Sequence, residues 1–377
     1  MNIYNHNFIV FCEEHYNPLG VIRSLGEQGI KPIGIFIKNK IQFASKSKYL
    51  RKVHYVENRE QGFNLLMEVY GNCKEKPFIY VCDDSTLQLL DNNYDELREH
   101  FIFFNAGKKG KISEYLNKKT IGNLALKHGL NFLESVVVKN GQVPENLEYP
   151  VITKAIDSTV SGWKGDMFVC NNEAELEEAF LRIKSHNVII QRYIVKKNEY
   201  CLEGISCNNG KDVFLSIESI YNYILPMSYS PYMTVNNFRN KNNVFPSLKK
   251  MFEEIGFEGI FEIEFLETDD GTLYFGEINF RNSTWSYAST CAGMNLPILW
   301  AKSMLENKIP DNCLVKIPEP GFKAMVELTD FKERVIVRKY SLHKWLDDLR
   351  KCYCRYYLGK RDITPVLNLI WARIMTR

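Results

Sequence analysis

Acidic and apolar residues alternate in two neighbouring segments, residues 261–265 and 275–280, and the turn sequence Asp-Asp-Gly at 269–271 separates them. Strict alternation predicts two β-strands, and the turn predicts that they form an antiparallel hairpin. The hairpin places three oxygen-bearing side chains on one face: Glu264, Glu277 and Asn279. Converging carboxylate and amide oxygens suit Mg²⁺. The open alternative is the solvated outer face of a two-stranded sheet, where acids commonly alternate with apolar residues.

The N-terminal part of the chain follows a strand–helix–strand order. Residues 7–12 are rich in β-branched and aromatic side chains, residues 17–30 show helical spacing of apolar residues, and residues 31–37 form a second apolar run. This order predicts a right-handed βαβ unit and a parallel sheet. A further strand, residues 77–84, ends in two acids where open α/β sheets bind ligands. Residues 1–110 therefore read as a doubly wound α/β domain. It contains no GxGxxG motif, so a dinucleotide site is not supported.

The middle of the chain mixes helices with strand pairs. A helical pattern runs from Ile112 to Gly129, where the glycine ends it. Strands are predicted at residues 149–156 and 187–194, and Asn209-Gly210 predicts another hairpin turn. We therefore predict an α+β region of two β-rich lobes.

Charge is unevenly distributed along the chain. Residues 331–377 contain 12 Lys or Arg and 4 Asp or Glu, while the whole chain has a formal net charge of +3, so the remaining chain is net negative. This distribution disfavours a globally basic nucleic-acid binder. The first residues lack the features of a signal peptide, and no stretch reaches the ~18 apolar residues of a membrane span, so we expect a cytoplasmic protein. The 10 cysteines form no CxxC pair and no zinc-like spacing with histidine, which is typical of reduced core cysteines.

Two further clusters suit a nucleotide. Lys154 closes an apolar strand, and the following segment 158–165 contains small residues that let backbone N–H groups approach phosphates. The strand 187–194 offers an edge to an adenine, and Glu199 just beyond it can accept hydrogen bonds from ribose hydroxyls. Taken separately, the first cluster is equally typical of a generic Gly/Ser turn, and the second is typical of a buried strand.

The order of these clusters resembles the ATP-grasp superfamily over nearly the whole chain. The match is carried by Lys118 at the start of a helix (with Lys119 as the alternative), by Lys154 before the glycine-containing loop, and by Glu264 13 residues before Glu277-Ile278-Asn279. The resemblance implies a metal site of Glu264, Glu277 and Asn279. It implies nine nucleotide-binding residues: Lys118, Lys154, Ser161, Gly162, Gln191, Arg192, Tyr193, Ile194 and Glu199. It also implies two catalytic residues, Lys154 and Arg281, with Arg281 placed against the acyl phosphate or the carboxylate substrate.

The resemblance also implies the domain organisation. Residues 1–110 correspond to a pre-ATP-grasp α/β domain, and residues 111–330 to an ATP-grasp fold of two β-rich lobes, the smaller at about 150–195. Residues 331–377 are expected to form a basic helical extension.

A narrower resemblance is carried by residues 19–30, 81–97 and 362–370. These segments look like ATP-grasp carboxylate–amine ligases related to D-aspartate ligase, some of them from surface-polysaccharide clusters. Such enzymes use ATP with Mg²⁺ or Mn²⁺ to activate a carboxylate as an acyl phosphate, which an amine attacks, and they release ADP and phosphate. The implied partners are an amino acid or other amine and a carboxylate acceptor, with the uronic acid of a polysaccharide precursor as one candidate, and a homodimer.

Several alternatives stay open at the level of sequence. An ATP-grasp kinase that phosphorylates a hydroxyl, or a non-catalytic nucleotide-binding module of a polysaccharide assembly system, would carry the same motifs. Asp83 and Asp84 can contact a substrate amine or cap the following helix. The aromatic and basic residues of 331–377 can form a packed helix with a solvated basic face, or a surface for an anionic membrane or polysaccharide.

Overall fold

A five-stranded parallel sheet organises the N-terminal domain of this computed structural model, which describes residues 2–155, 163–225, 229–310, 321–359 and 361–375. Its elements are β1 (Phe8–Cys12), α1 (Tyr16–Gly26), β2 (Ile33–Ile37), β3 (Lys52–Val56), α2 (Arg59–Leu65), β4 (Phe78–Val81), α3 (Asp84–Asn92), α4 (Tyr94–Leu97) and β5 (Ile102–Phe103). The strand order is β3-β2-β1-β4-β5, and every pair is parallel. All residues of β1 and β4 are buried, as expected for central parallel strands. The predicted βαβ domain is confirmed.

Two helices and a short strand lead out of this domain: α5 (Lys111–Tyr115), α6 (Lys118–Lys127) and β6 (Asn131–Phe132). The single helical pattern predicted from Ile112 to Gly129 is therefore wrong in one respect. Asn117 has an extended backbone, and its side chain accepts hydrogen bonds from the N–H groups of Lys119 and Thr120. An asparagine that caps a helix in this way starts a new helix instead of continuing the previous one.

The small lobe is a four-stranded sheet with one helix. Its elements are β7 (Ser135–Lys139), β8 (Val151–Ala155), β9 (Val169–Cys170), α7 (Glu173–Arg182) and β10 (Asn187–Arg192), with strand order β7-β10-β8-β9. The lobe begins with β7, about 15 residues before the predicted boundary, because β7 pairs with β10 from Lys139 to Ser135. Its buried residues form a core of their own, separate from the main core.

The large lobe is an eight-stranded sheet. Its elements are β11 (Asn198–Cys207), β12 (Asp212–Tyr221), β13 (Tyr232–Asn237), α8 (Phe245–Ile255), β14 (Gly259–Glu267), β15 (Leu273–Asn279), α9 (Ser286–Cys291), α10 (Leu296–Glu306) and β16 (Phe322–Met325). Both predicted hairpins are present. The turn between β11 and β12 holds Asn208, Asn209 and Gly210 at positive φ, and a side chain at Gly210 would meet the carbonyl of Phe252. Only asparagine and glycine adopt that backbone readily, and only glycine fits so close to another backbone.

The C-terminal residues add more than helices. They contain α11 (Glu327–Asp330), α12 (Leu342–Lys351), β17 (Cys352–Arg355) and α13 (Thr364–Met375). β17 pairs in parallel with β16, so the large sheet has the order β17-β16-β13-β12-β11-β14-β15-β6. The expectation of a purely helical extension is wrong, because Cys352 and Cys354 alternate with exposed residues and bury their side chains against the sheet. Short 3₁₀ and π-helical turns lie at Ile3–Asn5, Ala44–Lys46, Leu66–Tyr70, Trp163–Asp166, Lys241–Asn243 and Phe331–Val337.

A buried arginine ties this C-terminal segment to the N-terminal domain. Arg23 in α1 is 1% exposed and forms an ion pair of 3.2 Å with Asp362. It also donates hydrogen bonds to the carbonyl oxygens of Tyr356 (2.7 Å), Tyr357 (3.0 Å) and Asp362 (2.8 Å). The guanidinium thus satisfies a carboxylate and three carbonyls that water does not reach.

We predict that Arg23→Met lowers the free energy of unfolding by about 3–5 kcal/mol, because it leaves Asp362 buried and without its cation. Urea unfolding followed by circular dichroism measures the change. Arg98→Met is the matched control, since Arg98 pairs with Glu99 on the open surface and its removal should change little. Equal stability of Arg23→Met and the parent protein would contradict a role for Arg23 in holding the segment.

Within the described ranges, no helix combines the length and the apolar character that crossing a bilayer requires.

Candidate active site

Four polar side chains converge where β14 pairs with β15. In the register of the hairpin Glu262 faces Asn279, and Glu264 faces Glu277. The side-chain amide of Asn279 donates to Glu262 Oε2 and to Glu264 Oε1, both at 3.1 Å. The alternation in the sequence therefore puts Glu264, Glu277 and Asn279 on one face, as predicted.

Burial disfavours the negative charges of this cluster. It raises the pKa of both Glu262 and Glu264 well above the ordinary value, and the neighbouring carboxylates raise them further. A fourth carboxylate, Glu203 on β11, lies beside Glu262, and burial raises its pKa to about 7 although the hydroxyls of Ser283 and Ser286 donate to it. A cation bound at this face would offset the repulsion between the carboxylates.

Arg281, two residues beyond β15, lies at the edge of the cluster. Its Nη2 donates to Asn279 Oδ1 at 3.0 Å, and its Nε and Nη2 donate to the carboxylate of Asp84 at 2.7 and 3.4 Å. Burial disfavours the charge, but Asp84, Glu262 and Glu277 together outweigh this effect and raise the pKa of Arg281. The guanidinium is therefore a permanent cation held in place by fixed partners.

Arg281 meets the N-terminal domain at the switch point of its sheet. The strand order reverses between β1 and β4, and in open α/β sheets the carboxyl ends of such strands form a ligand crevice. Asp83 caps α3 by accepting from the N–H of Thr86, while Asp84 binds Arg281. Asp83 thus takes the capping role that the sequence left open, and Asp84 pairs with Arg281 and faces the cluster.

Lysines face the acidic cluster. Lys118, at the first turn of α6, places its Nζ 3.4 Å from Glu277 Oε2. Lys154, at the end of β8, donates to Gln191 Oε1 at 2.6 Å. Burial and the nearby charge of Lys118 lower the pKa of Lys154 to about 8, although Glu277 acts in the opposite direction. Cations on one side and carboxylates on the other suit a polyanion that binds together with a metal ion.

Sequence comparison identifies the domain that carries this site. The sequence model of the ATP-grasp domain matches residues 125–287. The chain carries an ATP-grasp domain. Among curated proteins, the N5-carboxyaminoimidazole ribonucleotide synthase of Staphylococcus aureus (strain COL) is 29% identical over 136 residues, which are 36% of this chain and 35% of that protein. The matched part is thus about a third of the relative's length.

Solved structures share the ATP-grasp architecture with this chain. The L-amino acid ligase of Bacillus licheniformis has a TM-score of 0.59 at 13% identity, and the match covers 80% of this chain and 74% of the ligase chain. The N5-carboxyaminoimidazole synthetase of S. aureus has a TM-score of 0.62 at 16% identity, with coverages of 88% and 86%. The biotin carboxylase domain dimer of Hydrogenobacter thermophilus 2-oxoglutarate carboxylase, in complex with MgADP and bicarbonate, has a TM-score of 0.61 at 17% identity, with coverages of 81% and 70%. At these identities the likeness establishes the fold, and it confirms the predicted two-lobed architecture.

The strand predicted to contact adenine, β10, does not lie at the edge of its sheet. β10 lies between β7 and β8, and its backbone is paired on both sides up to Gln191 and Arg192. The N–H of Tyr193 donates to Pro150 O at 2.7 Å. Backbone groups that can meet an adenine therefore begin at the carbonyl of Tyr193 and continue at Ile194. The side chain of Gln191 donates to Leu133 O and accepts from Lys154.

The structure describes the positions of some, but not all, of the remaining predicted residues. Glu199 is the second residue of β11 and forms an ion pair with Lys196. Lys119 follows Lys118 on α6, and Lys118 is the one whose Nζ reaches Glu277. Ser161 and Gly162 lie outside the described residues.

The residues present fit a Mg²⁺ ion. Two carboxylates and one amide supply oxygen donors, and this count suits Mg²⁺, which usually binds one or two carboxylates together with water and nucleotide phosphates. Within the ranges that the structure describes, no group of three or more His, Cys, Asp or Glu forms an all-protein metal cluster. A donor set of this size leaves coordination positions for water and for phosphate oxygens.

Sequence reasoning missed three residues near the site: Lys196, Glu203 and Glu262 in its role beside Asn279. Glu203 had no local signal, because it comes from a strand that pairs with β14 across 59 positions of sequence. Lys196 could have been found, since it stands three residues before Glu199, the spacing of their ion pair.

Proposed function

We propose that this protein is an ADP-forming ligase that uses ATP to activate a carboxylate as an acyl phosphate and joins it to an amine. One observation carries the proposal. Lys118 lies 3.4 Å from Glu277, which shares one face with Glu264 and Asn279. Arg281 donates to Asn279 beside them, at the switch point of the N-terminal sheet. This arrangement supports a metal–triphosphate site with a permanent cation for a carboxylate beside it.

In this proposal ATP lies between the two lobes. The adenine meets the backbone at Tyr193 and Ile194, the ribose hydroxyls donate to Glu199, and the triphosphate is held by Lys118, Lys154, Ser161 and Gly162. Lys196, the ion-pair partner of Glu199, adds a further cation on this side. Mg²⁺ (or Mn²⁺), when bound by Glu264, Glu277 and Asn279, offsets the negative charge of the phosphates during phosphoryl transfer.

Arg281 is proposed to bind the carboxylate that receives the phosphoryl group. Its Nε and Nη2 now donate to the carboxylate of Asp84, and this two-pronged geometry is the one in which arginine binds carboxylates in general. Oxygen of the carboxylate attacks the γ-phosphorus, ADP leaves, and the amine then attacks the acyl carbon with loss of phosphate. Asp84 is half exposed and is placed to attract a substrate ammonium group.

The substrates are part of the proposal. We infer an amino acid or other amine and a carboxylate acceptor, in keeping with the narrower resemblance to D-aspartate ligase-like enzymes, and we keep a uronic acid of a polysaccharide precursor as one acceptor. A homodimer is proposed from the same resemblance.

The test is a product assay with Mg²⁺-ATP, a panel of D- and L-amino acids, and carboxylate acceptors that include uronic acids. ADP and phosphate that appear only with a particular pair support the ligase. AMP and pyrophosphate would exclude an acyl phosphate, and ADP with a stable phosphorylated alcohol would indicate a kinase. ATP binding without turnover on any pair would favour a non-catalytic module.

The depressed pKa of Lys154 predicts a pH dependence. Below about 8 its ammonium group is charged and binds phosphate, and above that pH it becomes neutral. We therefore expect kcat/KM for ATP to fall as the pH rises through about 8. Lys154→Arg keeps its charge and should remove this fall, even if its activity is lower. A parent profile that is flat across this pH range would contradict the assignment.

A further inference from the structure

Helix α13 exposes an apolar strip although another face of it is packed. Val366 and Leu369 are each 3% exposed and belong to the main core. Four large apolar side chains remain 47% to 65% exposed: Leu367, Ile370, Trp371 and Ile374. Their spacing of three and four residues places them in one stripe along the helix, and they line a shallow groove together with Asn368.

The helix lies against a basic part of the N-terminal domain. It contacts the turn Ala44–Lys46, in the middle of residues 38–52, which contain six Lys or Arg and no acid. Lys40 and Lys48 are exposed. The acid that precedes the helix, Asp362, is buried and paired with Arg23, so it does not offset this charge at the surface. Glu57, a nearby acid, pairs with Lys38, which is one of these six basic residues.

We propose that α13 and the basic segment 38–52 together bind an anionic lipid surface. A helix that lies in the plane of a membrane buries leucine, isoleucine and tryptophan among the acyl chains, while lysine and arginine meet the anionic headgroups. The strip on α13 supplies the first kind of contact, and the segment beside it supplies the second. This inference concerns a surface separate from the ATP-grasp crevice and does not depend on the proposed ligase activity.

A second copy of the chain fits this surface less well. A helix of 12 residues is about 18 Å long and about 10 Å wide, so the strip offers roughly 200 Å², against about 800 Å² per partner in a standard interface. A twofold contact through the strip would also bring the two basic segments towards each other. A lipid surface needs neither a large complementary patch nor an opposite arrangement of charges on a partner protein.

Sedimentation with vesicles tests the proposal. We expect the full-length protein to bind phosphatidylcholine vesicles containing phosphatidylglycerol strongly, and pure phosphatidylcholine vesicles at least about tenfold more weakly. Trp371→Gln/Ile374→Gln should lower binding to the anionic vesicles by about tenfold or more. Lys40→Gln/Lys48→Gln should lower it by a similar factor and reduce its dependence on salt.

Matched variants separate the surface from general effects. Leu181→Gln removes an exposed leucine on α7, and Lys249→Gln/Lys250→Gln removes two exposed lysines on α8; both should bind as the parent does. Circular dichroism melts check that every variant is folded. No preference of the parent for anionic vesicles, or equal binding by parent and Trp371→Gln/Ile374→Gln, would overturn the proposal. A parent dimer that Trp371→Gln/Ile374→Gln converts to monomer in light scattering, without vesicle binding, would instead assign the strip to a second copy.

Discussion

Glu277→Gln is expected to lower the turnover of ATP by at least about 10³-fold while the protein stays folded. Glutamine has the shape of glutamate but removes one of the two carboxylates that face each other as Glu264 and Glu277. The remaining donors carry too little charge to hold a divalent cation against the triphosphate. The folded state should tolerate the change, because Glu277 is a third exposed and losing its charge reduces repulsion with Glu264.

Glu258→Gln is the matched control for this experiment. Glu258 precedes the other end of β14 and accepts a hydrogen bond from the backbone of Asn209, far along the strand from Glu264. Turnover is measured as ADP release with a coupled assay, and folding by thermal melting. Near-normal turnover in Glu277→Gln would remove this residue from the metal site, and an equal loss in both variants would show that the assay reports on the fold.

Arg281→Lys should lower kcat/KM for the carboxylate substrate by about 10²- to 10³-fold and leave KM for ATP nearly unchanged. Lysine keeps the charge but cannot present two parallel N–H groups. In the parent, Nε and Nη2 both point to Asp84, and Nη2 also bonds to Asn279. A lysine can reproduce at most part of this arrangement, so a bound carboxylate would be held without the right orientation.

Arg334→Lys separates catalysis from stability. Arg334 is also a buried arginine with two acidic partners, Asp330 and Asp348, but it lies in the C-terminal segment. Its replacement should reduce the melting temperature and leave the kinetic constants alone. If Arg281→Lys raises KM for ATP as much as it lowers kcat/KM for the carboxylate, Arg281 contacts the nucleotide and the proposed role is wrong.

Sequence patterns with a short range predicted much of this molecule. The alternation around Glu264 and Glu277 requires no distant information, because a period of two fixes which side chains share a face. The turns at Asn209-Gly210 and 269–271 fixed the two hairpins for a similar reason. The same locality predicted the parallel sheet, since consecutive βαβ units have a preferred hand.

Features that depend on distant pairing were not predictable from these patterns. The strand β17 has four residues, and it forms because β16 offers an unpaired edge, which a reading of residues 352–355 alone cannot reveal. The interior position of β10 likewise depends on β7, and it moves the adenine contact that we propose beyond Arg192. The pairing of Asp84 with Arg281 had no local signal, because the two residues are 197 positions apart in sequence.

The hydrogen bonds of Arg23 can form only late in the synthesis of the chain. The arginine lies in the first helix, but Tyr356, whose carbonyl it binds, follows 333 residues later. At about 5–20 residues per second, a ribosome needs roughly 15 to 70 s to deliver that partner. Throughout this interval the residues of the parallel sheet are already available to fold. The guanidinium of Arg23, however, still lacks its C-terminal partners. The nascent N-terminal domain is therefore less stable than the same residues in the finished protein, and its last stabilising contacts form only after residues 356–362 leave the exit tunnel.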